Sequence, residues 1–273
     1  MHELFLTASV PGNDVLAARS VLQGYCAMPE VHQLTRVLYY TGPDRPSGFK
    51  KVGDLDGTPN RRLFNDLHQY LTKQSYLMTV RYQLNEDEFG QEVGGSSSLD
   101  QRQGTLRWTD IPDPVPPQVL HVQRKMLDIR NQDRLISILG QNAHTIKAEC
   151  IEESYTWCRD SVEYTLERMY IYPGEDPLVP IRQTEPRTFL PAFSDLRPLS
   201  SNWMLRAKAF VSEPTPERMA QAAGALAAAR ADLLGVLNFR QFDRRVHDTR
   251  VAAPSAASTM PRPLPQVVTV DRA

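Results

Sequence analysis

Apolar residues change period several times along this chain, and each change marks an element. Residues 2–9 alternate weakly and predict a strand. Val15, Ala18, Val21, Leu22 and Cys26 then share one face at helical spacing, with Asn13 placed to cap that helix. A second strand is predicted at 31–41. Leu63, Phe64, Leu67, Tyr70 and Leu71 recur at three and four, the mark of a short helix. Tyr76, Met78, Val80, Tyr82 and Leu84 return to alternation, and Leu106 and Trp108 resume it, so these two runs are expected to pair. Further strands are expected at 119–129, 144–157, 161–172 and 203–211, with a short helix at 131–140. The runs 144–157 and 161–172 read as a hairpin joined at Arg159–Asp160, with aromatic cross-strand pairs. The longest helix starts at Thr215, its cap, with Pro216 in the first helical position, where a missing N–H costs nothing. Met219, Ala222, Ala223, Leu226, Leu233, Leu234 and Leu237 draw its apolar stripe.

The strands follow one another without βαβ alternation, which predicts a mostly antiparallel sheet. Long strands with one polar face suit a closed barrel. The expected class is therefore α+β, mainly β: an antiparallel β-barrel with flanking helices, in one domain over 1–251. Residues 42–61 hold Gly42, Pro43, Pro46, Gly48, Gly53, Gly57 and Pro59 and read as a loop. Residues 85–103 are acidic, then Gly/Ser-rich, and are expected to be a flexible insertion, because such a segment buries too little apolar surface to order itself. Ile111–Pro117 is stiff and extended, 173–200 is a Pro-rich loop, and 252–273 reads as a disordered tail.

Composition narrows the function. The formal net charge of −1 argues against direct nucleic-acid binding, which needs a concentrated basic surface. No apolar run is long enough to span a bilayer. The strand that begins at His2 leaves no room for a basic leader, so a reducing compartment is expected. Cys26, Cys150 and Cys158 have no metal-ligand spacing and read as buried or incidental thiols.

One catalytic constellation can be drawn. Glu163, Thr165 and Glu167 share a face of one strand, Glu149 and Glu153 lie on its partner, and Arg206 and Lys208 share a face of another. Carboxylates holding a metal and bases holding phosphates inside a barrel are what a metal-dependent triphosphate-tunnel phosphohydrolase needs. That family carries Glu-x-Glu-x-Lys near its N-terminus; here Met1-His2-Glu3-Leu4-Phe5-Leu6 offers one acid and no lysine. The deciding observation is whether three or more carboxylates point into the barrel together with several Lys or Arg. His144 beside Glu149 and Cys150 lacks a ligand motif, Ser154 and Ser161 lack triad partners, and no Gly-rich phosphate loop occurs. Lys50-Lys51 and Arg61-Arg62 are small basic pairs suited to solvent or to an acidic partner. No catalytic, cofactor or metal residue is assigned, and the interaction surface stays open.

A resemblance runs across most of 1–251. The strand–helix–strand opening through Thr35–Pro43, the passage Gln74-Ser75-Tyr76 into Met78–Tyr82, Trp203–Ala207 before the long helix, Leu237-Asn238-Phe239 and Asp243–Val251 together resemble fungal forms of the Mediator subunit 18 family. The order and spacing of these stretches carry the likeness, and no one of them is diagnostic. The Pro-rich 173–198 and the Ala-rich 220–231 depart from it. The resemblance implies a barrel related in shape to the tunnel phosphohydrolases but without their acidic and basic set. It also implies a non-catalytic, nuclear subunit of the head module of this RNA polymerase II coactivator, without cofactors, paired with subunit 20 and tethered by a C-terminal helix of subunit 8.

Overall fold

A sheet built from these alternating strands has one apolar and one polar face, and the chain closes it with the polar face inward. The computed structural model describes residues 1–49, 60–114, 116, 119–175, 185–240 and 244–251. In chain order the elements are β1 (His2–Pro11), α1 (Val15–Cys26), β2 (Val31–Thr41), α2 (Arg61–Leu71), β3 (Leu77–Leu84), β4 (Gln91–Glu92), α3 (Ser96–Gln101) and β5 (Gly104–Thr109). Then come β6 (Val122–Gln132), α4 (Leu135–Gln141), β7 (Thr145–Arg159), β8 (Val162–Ile171), β9 (Phe189–Leu190), β10 (Arg197–Pro198), β11 (Asn202–Val211), α5 (Pro216–Asp232) and β12 (Phe239–Arg240). Eight of the strands form a closed antiparallel barrel in the order β8-β11-β1-β6-β5-β3-β2-β7, with β7 pairing back to β8. The β7–β8 hairpin forms as expected, with its turn at Asp160–Ser161, one residue later than the expected Arg159–Asp160, and sets Trp157 opposite Tyr164.

The apolar side chains point outward and are covered by helices. Leu4, Leu6 and Ala8 of β1 and Leu205, Ala207 and Ala209 of β11 pack with Val15, Ala18 and Leu22 of α1 and Ala222, Leu226 and Ala229 of α5. Leu38, Met78, Val80, Leu106 and Ile129 lie under Phe64, Leu67 and Leu71 of α2 and Leu135, Ile138 and Leu139 of α4. A third patch, Leu34, Ile151, Tyr170 and Tyr172, is covered by Leu190 and Leu196 from the Pro-rich stretch. Burial of this kind yields about 25 cal/mol per Å² of apolar surface, so the helices stabilise the barrel as much as the barrel orders them. Thr215 caps α5 as predicted, its Oγ1 accepting the Arg218 N–H at 3.3 Å.

Three expectations change. Asn13 makes no cap; it sits in a 3-10 turn, Gly12–Asp14, that runs directly into α1. Residues 85–103 build local structure where a flexible insertion was expected. They form a 3-10 turn with an Asn85/Glu88 capping box, β4 and α3. Leu99 is buried, and the Asp100 carboxylate accepts the N–H groups of Ile136 at 2.9 Å and Ser137 at 3.1 Å. One anchored leucine and a ring of main-chain hydrogen bonds replace the apolar surface that the composition lacks. The described part of 173–200 is also more than loop: β9 pairs with β4, and β10 with β8. The expected tail 252–273 and Lys50-Lys51 lie outside the described residues.

Candidate functional site

Because paired residues in a sheet share a face, the register fixes what the lumen holds. Arg206 and Lys208 of β11 stand opposite Thr165 and Glu163 of β8. Across the next seam Ser154 of β7 stands opposite Glu167, and Thr156 opposite Thr165. The acid that β7 sends inward is thus Glu152. Glu149 and Glu153 fall on the other parity and face outward, which corrects their expected place beside Glu163. Arg81 of β3, Arg107 of β5 and Asp128 and Arg130 of β6 complete a polar cavity of about 480 Å³ that also contains Glu163, Glu167, Arg206 and Lys208.

This lumen meets the test set for a catalytic barrel, and it corrects the expectation that the acidic and basic set is missing. The charges are arranged in pairs. Arg107 grips Asp128 with two bonds of 2.8 and 2.7 Å. Arg206 lies 2.8 Å from Glu167, Lys208 lies 3.2 Å from Glu163 and 2.9 Å from Thr165 Oγ1, and Arg81 donates to Glu152. Deeper in, Arg124 donates to Glu3 at 2.7 Å. Burial alone would raise the Glu3 and Glu152 carboxyls; Arg124 pulls the first below its ordinary range and Arg81 the second. Such pairs satisfy one another and leave little free negative charge to hold a cation. Among the described residues no three His, Cys, Asp or Glu side chains are grouped to bind a metal.

Towards the other end apolar groups enter the lumen: Phe5 is paired to Lys208 on one side and Val122 on the other, Val37 to Cys150, and Met169 to Glu152, with Thr7 and Thr79 as uncharged polar neighbours. Cys150 lies there, its thiol pushed up to about 12 by burial and its Sγ 3.9 Å from Met169 Sδ.

On the outer wall Glu149 belongs to a different buried cluster. It accepts from Arg36 Nε at 2.9 Å, Tyr172 O–H at 2.7 Å and the Arg187 N–H at 3.0 Å. Arg36 also donates to the Arg187 carbonyl at 2.7 Å, so this cluster ties the Pro-rich stretch to the wall. Glu153 accepts from Tyr155 at 2.8 Å and Tyr170 at 2.7 Å. His144 is buried, hydrogen-bonded to the Asn142 carbonyl and stacked on Phe49 at 5.3 Å, a packing role. Ser154 lines the lumen, and Ser161 is exposed in the hairpin turn.

Arg81, Arg107, Arg124, Asp128 and Glu152 were not grouped with the site from sequence, and Glu3 entered only as the single acid of the first strand. A signal for them exists, since each occupies the polar parity of its strand. Reading it requires the strand register, which one sequence does not supply.

The comparisons agree with this geometry. A family model described as "Med18 protein" matches residues 2–250. "Mediator of RNA polymerase II transcription subunit 18" of Aspergillus oryzae is 25% identical over 92% of this chain and 99% of its own length. The protein of the same name from Aspergillus fumigatus is 26% identical over the same shares. A chain in the structure of the Schizosaccharomyces pombe Mediator head module superposes with a TM-score of 0.61 at 13% identity, covering 89% of this chain and 99% of that one, a likeness of fold. With its barrel matched from the first strand to the last described segment, the chain belongs to the Med18 protein family.

Proposed function

We propose that this chain acts as a non-catalytic structural subunit of Mediator, the coactivator of RNA polymerase II, in its head module. The carrying observation is the family match over residues 2–250. The paired lumen supports it: five cationic and four anionic side chains line the cavity, and the acids are engaged with bases in the wall. We assign no side chain to catalysis, cofactor or metal, and treat 1–251 as one folding unit. Subunit 20 as a paired barrel and the C-terminal helix of subunit 8 as a tether are the partners we propose, with the polymerase machinery met through the complex and the nucleus as the compartment. Among the described residues no helix is long and apolar enough to cross a membrane.

Co-expression with subunits 8 and 20 of the same organism tests this reading. The expected outcome is a ternary complex stable through gel filtration. A chain that elutes alone while subunits 8 and 20 are folded refutes the partner assignment. The divergent phosphohydrolase is tested separately: manganese-dependent phosphate release from a nucleoside triphosphate, abolished by Glu163→Ala, would establish it, and none is expected.

A further inference from the structure

At the end of the barrel where β1 finishes, the wall has two gaps. β1 pairs with β6 over His2–Phe5 alone, and β3 pairs with β5 over Thr79–Arg81 alone. Later residues of the chain enter both. β12 takes the edge of β1 at Thr7 and Ala8, and Thr7 Oγ1 donates to the Arg240 carbonyl at 3.1 Å. Thr249 and Val251 enter the other gap. The Leu77 N–H donates to the Thr249 carbonyl at 2.6 Å and the Val251 N–H to the Ser75 carbonyl at 2.9 Å. Thr249 Oγ1 donates to the Thr109 carbonyl at 2.6 Å. Between the two anchorages His247 sets its ring edge-on to Phe5 at 5.2 Å, close to Arg206, Arg124 and Glu3.

The bonds that hold residues 249–251 are main-chain bonds, one hydroxyl and one side-chain amide, Gln74 Nε2, which donates to the Val251 carbonyl at 2.7 Å. Little apolar burial accompanies them, and neighbouring Val246 is 72% exposed. A segment held this way leaves unpaired strand edges when it lifts, and such edges are completed only by another extended backbone. We infer that this end of the barrel is a strand-acceptor site, occupied in the free chain by Asp248–Val251 after the 3-10 turn Arg244–His247, at which an extended segment of a partner protein replaces them. The geometry specifies the incoming segment. It needs a hydroxyl-bearing residue to reach the Thr109 carbonyl and, two positions before it, a ring to meet Phe5. A helix offers no main-chain groups to the Leu77 and Ser75 edge, so the site selects against one.

Cys150, buried at this end of the lumen, serves as a native reporter in the full-length chain once Cys26→Ala and Cys158→Ser remove the other thiols. In that background His247→Ala with Thr249→Val should label with a maleimide at least about tenfold faster, as expected for local opening. Its thermal midpoint should stay within about 4 °C. An excess of the octapeptide Arg244–Val251, added in trans, should return labelling to the slow rate. Labelling that does not rise, or that the octapeptide leaves unchanged, overturns the inference. If the double variant proves unstable, native-state hydrogen exchange on the unaltered full-length chain decides. The Leu77 and Val251 amides should exchange together and at least about tenfold faster than amides in the middle of β11. Equal rates would mean that the segment leaves only when the whole barrel unfolds, and would sink the proposal.

Discussion

The two faces of the same eight strands are held in opposite ways. Outside, Leu4, Leu205 and Val80 are sealed under helices, and the Arg36–Glu149 ion pair there is fully buried. Inside, ion pairs ring a cavity open to solvent, and Arg107 keeps a side-chain exposure of 29%. Apolar burial is non-directional and sums over area, so the outer face supplies most of the stability. Ion pairs in a wet lumen gain modest Coulomb energy and lose side-chain entropy, so the inner face contributes specificity of register more than stability. An enzyme would need the inner face to hold unpaired charge. In this barrel each lumen acid is paired with a base.

The largest effect should follow damage to the outer face. Leu226, with no exposed surface, joins α5 to β1 and β11. Leu226→Asp should unfold the chain, because an unpaired buried carboxylate belongs to the class of changes costing more than about 4 kcal/mol. Circular dichroism melts check this. A variant that melts normally but no longer binds the subunit 8 helix would show that the stripe is an interface.

Second in size is the outer ion pair. Arg36→Met leaves Glu149 buried without its guanidinium, and such breakage costs about 3–5 kcal/mol. Adding Glu149→Gln should recover most of the loss, measured by urea denaturation. The lumen counterpart, Arg107→Met, should cost about 1–2 kcal/mol, since the Arg107 side chain is itself partly exposed and Asp128 keeps a second cation, Arg130, at 3.7 Å. If the lumen change proves the more damaging, the division of labour between the faces is reversed.

These contrasts follow what one sequence can carry. Helix faces and strand alternation are local, so α1, α5, β2 and the β7–β8 hairpin were readable within a few residues. The inward parity of Glu163, Thr165, Glu167, Arg206 and Lys208 was readable too, because each set lies within one strand. Glu149 and Glu153 were misassigned because their face depends on pairing between strands. The insertion 85–103 was underestimated for a related reason: its order depends on Asp100 reaching α4, a contact 36 residues away in the chain. Asp100→Ala should therefore cost about 1 kcal/mol, as loss of a helix cap does, and should leave β3 and β5 paired. Hydrogen exchange of the Ile136 and Ser137 amides reports it directly.

The smallest predicted effect is a pH dependence of His247 that differs in its window from that of its neighbour Glu3. Burial, then Arg206 and Arg124, lower His247 from 6.5 to about 4, while Glu3 opposes the shift. The folded chain keeps this ring neutral where the unfolded chain protonates it. Its contribution to stability is complete above pH 6.5 and falls away as the pH drops towards 4. Glu3 behaves otherwise. Its folded value lies below 4.5, so its contribution is complete above that pH and is lost only as the pH falls through the depressed value. His2, His121 and His144 are lowered by burial as well, so the parent chain will weaken between pH 6.5 and 4.5 for several reasons. The difference between the parent and His247→Phe isolates one of them. The phenyl ring can still meet Phe5 edge-on but cannot take a proton, so the variant should lose less stability over that window and follow the parent below it. Identical curves would place His247 in water rather than against Phe5, and would remove the ring from the seal at that end of the barrel.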